Sequence, residues 1–304
     1  MHMLTSFGVS KMTTHVEQTA EMFLETADGL TLFVREWAAK KAVKNAPGIL
    51  IVHGLGEHSG RYVHVAQFLK EMGFVVRTYD HRGHGQSGGG RGDINTSDAM
   101  LRDMRLVVND FTQTLKAPPL ILAHSMGGLF ATHFVLAGLS PVRGLILSSP
   151  ALTVKVSPFQ RILFELSKRL IPHLGVGHGT RGIYLSHDIE VVREYQNDPL
   201  VHNRISASLF AGMLNSMAFV RTHAKQLRVP LLLLVADDDV VVDPQGSRDF
   251  LAQVNHHLNA ASVSSHFYSG FYHEVMNEID SVCVFDDIRS WLDEKNFLPS
   301  NINL

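Results

Sequence analysis

The sequence predicts an α/β protein, a mostly parallel sheet flanked by helices and interrupted once by a helical insert. Three features carry that expectation. Short runs rich in Val, Ile and Leu end in polar or glycine residues, as strands buried on both faces do. Helical periods separate these runs. One interval, from Ser149 to Leu231, is too long for a single crossover helix, so it must hold extra structure.

The elements follow in chain order. Residues 1–18, with Met1, Met3 and Met12 among mostly polar neighbours, read as a loose leader or an ambiguous start. "EMFLETADGLTLFVREW" reads as two strands around Asp28-Gly29, a strong hairpin signal. The strands "GILIVHG", "FVVRTYD", "PLILAHS" and "RGLILSSP" follow, then "PLLLLVADDD" and "VSSHFYSG" after the long interval. A final helix is expected around Val282 to Trp291. This makes an eight-stranded sheet with a cap inserted after the sixth strand. The core is expected to comprise 19–150 and 226–298, and the cap 151–225.

Within the cap, Phe159, Ile162, Leu163, Leu166 and Leu170 recur at helical spacing, with Arg161, Lys168 and Arg169 opposite. The expectation is that this stripe packs onto the rest of the protein. The sharper alternative is a lid whose apolar face meets lipid. Ile205, Leu209, Met213, Leu214 and Met217 form a second apolar face.

Chemistry enters at "LILAHSMGGLF", where a buried strand runs into Ser125 and then a helix. That is the layout of a nucleophile elbow, although the usual G-x-S-x-G here reads Ala123-His124-Ser125-Met126-Gly127. Such a turn needs small residues two before and two after the serine. Ala123 adds one methyl, and Gly127 and Gly128 remain. Serine attacks only when a base takes its proton, so a carboxylate and a histidine should follow it in the order Ser, Asp, His. The loop after "LLLLVA" supplies Asp237, Asp238, Asp239 and Asp243. Asp243 precedes Pro244, an N-cap signature, so Asp239 is the expected acid. His273 lies just beyond the last strand and is the expected base. Oxyanion donors are expected from the backbone N–H groups of Leu55, in the glycine-rich loop "HGLGEHSGRY", and Met126.

Other classes are disfavoured. The glycine clusters match neither G-x-G-x-x-G nor a Walker ending, and no H-E-x-x-H occurs, so no nucleotide, cofactor or metal is expected. A formal charge of −2 argues against nucleic acid. The single cysteine, Cys283, permits no intramolecular disulfide and suits a reducing compartment. No basic-then-apolar leader occurs, and no stretch approaches the ~20 apolar residues of a membrane span, so a cytoplasmic location is expected.

"HGLGEHSGRY", "DHRGHGQSGG", "AHSMGG", the Asp239 loop and "GFYHEVMNE" together resemble the α/β-hydrolase superfamily. Within it they are similar to the monoacylglycerol lipase and lysophospholipase group, filed under serine aminopeptidase S33. The resemblance runs from about Gly29 to Leu292. It implies nucleophile Ser125, acid Asp239, base His273, oxyanion amides from Leu55 and Met126, and a structural turn at Asp80, Arg82 and Gly83. The apolar stripes of the insert suggest a long acyl chain between cap and sheet, with an uncharged rim admitting glycerol, so a single-chain lipid ester is the expected substrate, monoacylglycerol ahead of lysophospholipid. Short-chain esters, and a catalytically silent ligand binder on the same fold, stand as alternatives. Two departures are Ala123 for the first elbow glycine and "VADDD" for a glycine-containing approach to the acid. Peripheral membrane contact through the cap is a further expectation; oligomeric state is left open.

Overall fold

The computed structural model describes residues 19–299 other than 41, 42, 44, 155, 156 and 256–261. The leader expected over 1–18 lies outside the described residues. Strands β1 (Thr19–Glu25) and β2 (Thr31–Trp37) form the expected antiparallel hairpin. Then come β3 (Gly48–Val52), α1 (Val63–Glu71), β4 (Val75–Tyr79), α2 (Ala99–Thr114), β5 (Leu120–His124), α3 (Ser125–Leu136) and β6 (Leu145–Ser148). The insert holds α4 (Pro158–Leu170), β7 (Val176–Gly177), α5 (Ile189–Asn197), β8 (Arg204–Ile205) and α6 (Ala207–His223). β9 (Leu231–Ala236), α7 (Pro244–Asn255), β10 (Val263–Tyr268) and α8 (Val282–Glu294) complete the chain.

The main sheet is 8-stranded in the order β1-β2-β4-β3-β5-β6-β9-β10. Only β1–β2 and β2–β4 pair antiparallel. Every residue of β3, β5, β6 and β9 is buried, which is why those strands read as unbroken apolar runs. Two layers of helices supply the cover. One core, with Phe111, Phe130 and Phe134, lies under α2, α3 and α6. The other, with Leu69, Phe74 and Trp291, lies under α1 and α8. The loops after β3, β5, β9 and β10 all leave from the carboxyl ends of parallel strands, where ligands of open α/β sheets sit.

The insert is tied to this framework by backbone hydrogen bonds. The His202 N–H donates to Gly56 O (2.8 Å), that of Ser206 to Gly92 O (2.9 Å) and that of Glu274 to Leu185 O (2.8 Å). A Cβ on Gly56, at φ 78°, would fall 2.4 Å from His202 O, so only glycine allows this approach. α6 behaves as its stripe predicts, burying Leu209, Met213 and Met217. α4 does not. Phe159 is 74% exposed, Ile162 62%, Leu163 55%, Leu166 52% and Leu170 72%, so the expected packing of this stripe on the rest of the protein is corrected. α4 is held by a capping box, Ser157 with Gln160, and by Phe164, whose ring meets Phe210 edge-on at 5.0 Å. Its apolar stripe faces away from those anchors.

Candidate active site

Ser125 follows the last residue of β5 and begins α3, and the change of direction falls on its own backbone, at φ 51°. A non-glycine residue in the left-handed region stores about 1–3 kcal/mol of strain, kept only where the surroundings hold it. What holds it here is close packing on the helix side of the turn. A Cβ on Gly127 would lie 2.3 Å from His53 O, and one on Gly128 would lie 2.9 Å from Pro150 Cβ. Ala123 is fully buried in β5 between Val52 and Leu147, and its methyl is accommodated in the core.

The loops after β9 and β10 bring the other expected residues to Ser125. His273 Nε2 lies 2.9 Å from Ser125 Oγ, and His273 Nδ1 lies 2.6 Å from Asp239 Oδ2. Asp239 Oδ1 accepts from the amides of Val241 (2.8 Å) and Val242 (2.9 Å), which fixes the carboxylate plane. All three residues are buried. The remaining carboxylates of that loop go elsewhere. Asp237 pairs with Arg248, Asp238 accepts from Gly270 N at 2.7 Å, and Asp243 accepts from Gln245 N at 3.0 Å in the first turn of α7. Burial disfavours the imidazolium of His273, but the Asp239 charge and hydrogen bond outweigh it and raise its pKa above the usual 6.5. His124, whose ring lies tilted 4.6 Å from that of His273, is pushed down to about 3 by burial and by the His273 charge, so it stays neutral beside it.

Leu55 and Met126 line the same cavity as Ser125. The orientation of the Leu55 amide follows from a pair of buried histidines that sequence reasoning passed over. The His81 amide donates to His53 Nε2 (2.9 Å), which leaves the His53 proton on Nδ1, and Nδ1 donates to Gly54 O (2.8 Å). No described peptide bond is cis, so the Leu55 N–H points away from that carbonyl. The Met126 amide belongs to the first turn of α3, where helical N–H groups have no intrahelical partner.

The cavity above Ser125 has a volume of about 410 Å³. One part of its lining is apolar, with Phe210, Met213 and Met217 from α6 and Val241 and Val242 after β9. Another is polar, with Glu57, His178, Tyr195 and Glu274. Glu57, Arg61 and Glu274 form a buried ion-pair cluster that the sequence analysis did not single out. Glu57 and Arg61 stand in "HGLGEHSGRY", read there only for its glycines, and their i,i+4 spacing was the available signal. Among the described residues, no group of acidic, histidine or cysteine side chains could hold a metal ion, and no helix is long and apolar enough to cross a membrane.

A parallel sheet with a serine elbow, a cap over its carboxyl edge and a Ser-His-Asp chain of hydrogen bonds defines the α/β-hydrolase class. Residues 44–280 match the family described as serine aminopeptidase, S33, and the chain belongs to it. It is an ester-hydrolysing enzyme. The chain is 34% identical over 254 residues to the monoacylglycerol lipase of Mycolicibacterium smegmatis, covering 80% of this chain and 87% of that protein. It is 35% identical over 289 residues to an uncharacterized abhydrolase domain-containing protein of Dictyostelium discoideum, covering 92% of this chain but spanning only 30% of that relative's length. Among solved structures, the Paleococcus ferrophilus monoacylglycerol lipase aligns with a TM-score of 0.77 at 28% identity, covering 87% of this chain and 99% of that one.

Proposed function

We propose that the protein hydrolyses monoacylglycerol to fatty acid and glycerol through an acyl-enzyme on Ser125. The observation that carries this reading is the hydrogen-bonded line Asp239–His273–Ser125, set in a cavity with an apolar part for an acyl chain and a polar part for a polyol. The named lipases at 34% and 28% identity support the lipid ester over other esters. His273 takes the Ser125 proton as Oγ attacks the carbonyl, and the N–H groups of Leu55 and Met126 receive the oxyanion. His273 then protonates the leaving alkoxide, and water releases the acid with His273 as base. Asp239 keeps the Nδ1 proton in place and favours the imidazolium that forms.

The exposed stripe of α4 supports a further proposal, that this helix lies against lipid while the substrate enters. The free, exposed Cys283 supports a reducing, cytoplasmic location. The test of function is fatty-acid release from matched monoacylglycerols and lysophosphatidylcholines, with Ser125→Ala as control. Release from monoacylglycerol that falls by about 10⁴-fold or more in the variant is expected. Undiminished release by Ser125→Ala would refute the mechanism. Failure of the wild type on every long-chain ester would refute the substrate.

A further inference from the structure

The Arg61 guanidinium sits between two carboxylates, both of which line the cavity. It gives Glu274 a bidentate pair at 2.5 and 2.7 Å and gives Glu57 a third bond at 2.8 Å. The ring of Tyr195 covers it, with Cζ 4.9 Å from the ring centroid. Gly54 and Tyr62, two of the other donors to these carboxylates, are buried, and Asn277 is half-buried. Gly54 N (2.6 Å) and Tyr62 Oη (2.7 Å) donate to Glu57 Oε1, and Asn277 Nδ2 (2.7 Å) donates to Glu274 Oε2. Each carboxylate therefore accepts from three donors out of about four lone-pair sites and keeps acceptor capacity for one more.

The charge count matters more than the individual bonds. Glu274 alone matches Arg61, so the cluster carries no net positive charge whichever way Glu57 is protonated. His178 and His124 on the same lining are held neutral by burial. Among the described residues, no lysine and no arginine lines the cavity. A leaving group that brings hydroxyl protons meets unfilled acceptors there. One that brings a phosphate meets carboxylates, with the guanidinium already shared between them.

We propose that Glu274 is a specificity-determining residue. By neutralising Arg61 it makes the leaving-group end of the cavity an acceptor-rich, non-cationic subsite that takes an uncharged polyol and rejects a phosphate monoester. This deepens the monoacylglycerol reading above and rests on it. A merely structural brace at Glu274 would hold the loop and affect all esters alike. A charge-selective subsite affects them by head group.

The experiment compares kcat/KM for the hexanoyl esters of glycerol and of glycerol 3-phosphate, an identical acyl chain on both, in the full chain. The wild type is expected to favour the neutral ester by at least about 100-fold, since like-charge juxtaposition at a buried site costs several kcal/mol. Glu274→Gln should narrow that ratio at least tenfold, chiefly through KM, while Glu274→Asp, which keeps the charge, should retain it. Cleavage of both esters by the wild type within threefold of each other overturns the proposal. So does a Glu274→Gln variant that lowers both equally. Should Glu274→Gln fail to fold, inhibition of the wild type decides the matter. Glycerol is expected to inhibit at lower concentration than glycerol 3-phosphate, and the reverse order overturns the proposal. If the wild type cleaves neither hexanoyl ester but does cleave p-nitrophenyl acetate, the monoacylglycerol reading falls and takes this one with it. A flat ratio with good glycerol-ester turnover removes this inference alone.

Discussion

Restoring glycine at position 123 tests which side of the nucleophile elbow is under constraint. Ala123→Gly removes one methyl from a fully buried strand position that pairs with Val52 and Leu147. The methyl is worth about 0.8 kcal/mol of burial, and glycine in a strand costs roughly another 0.5–1 kcal/mol of backbone entropy. The variant should therefore lose about 1–2 kcal/mol of stability while kcat stays within roughly threefold of wild type. The opposite substitution, Gly127→Ala, should behave differently. Its Cβ would sit 2.3 Å from His53 O and 2.7 Å from Val52 O, both backbone atoms that no rotamer change can move. Restoring ordinary contact takes a shift of about 1 Å between the start of α3 and the loop after β3, the two proposed sources of oxyanion amides. A displacement of that size costs about 100-fold in rate, and losing one oxyanion donor costs about 100- to 1,000-fold. Steady-state hydrolysis of a monoacylglycerol and urea unfolding of both variants provide the readout. A tenfold or greater rise in kcat for Ala123→Gly would show that the methyl distorts the elbow. Near-normal turnover by Gly127→Ala would refute the packing argument.

Because the Asp239 charge holds the pKa of His273 above 6.5, and only neutral His273 accepts a proton, kcat/KM should rise with pH through a midpoint above that value. Asp239→Asn should lower kcat by about 10⁴-fold, and a flat profile from pH 5 to 8 in the wild type would contradict the assignment of the base. Burial pushes His81 down to about 4 and His124 to about 3, so below pH 6.5 the unfolded chain takes up protons that the native state refuses. Stability should then fall with acid by about 1.4 kcal/mol per pH unit for each group, so by about 3 kcal/mol per pH unit for the pair between pH 6 and 4. Urea unfolding at pH 7 and pH 5 gives the slope, and unchanged stability would mean that these histidines are solvated. On α4, replacing Leu163 and Leu166 together by Ser should weaken sedimentation with phosphatidylcholine vesicles at least tenfold, since each buried leucine contributes about 1.5–3 kcal/mol. Equal sedimentation of wild type and variant would separate α4 from lipid contact.

What could be read from the sequence depended on whether the signal was local. Strand, turn and helix around Ser125 occupy consecutive residues, so apolar run, small residues and serine appear together. The strands were legible because β3, β5, β6 and β9 are buried along their whole length. Asp239 was one of several carboxylates on its loop, and what sets it apart is His273, a partner contributed from a later loop 34 residues along the chain. The two-residue ladder of β7 and β8, Val176 with Ile205, has too few residues for any periodicity. α4 and α6 carry similar apolar stripes, yet one is exposed and the other buried, because periodicity tells which residues share a face and not whether that face meets a partner.

The Glu57–Arg61–Glu274 cluster lies at the far end of this scale. Arg61 and Glu274 are 213 residues apart, and neither carries a pattern that announces the other. Their meeting requires that the loops after β3 and β10 leave the same edge of the sheet, a consequence of parallel topology that fixes Ser125, His273 and the oxyanion loop as well. A buried arginine left with no carboxylate partner would hold an uncompensated charge, at a cost of about 3–5 kcal/mol. The loop carrying Leu55 and the loop carrying His273 are thus bridged by a single ion-pair cluster. Head-group preference and alignment of the catalytic atoms share the same residues, which is why the ratio between two head groups, and not the rate on either, separates the two roles of Glu274.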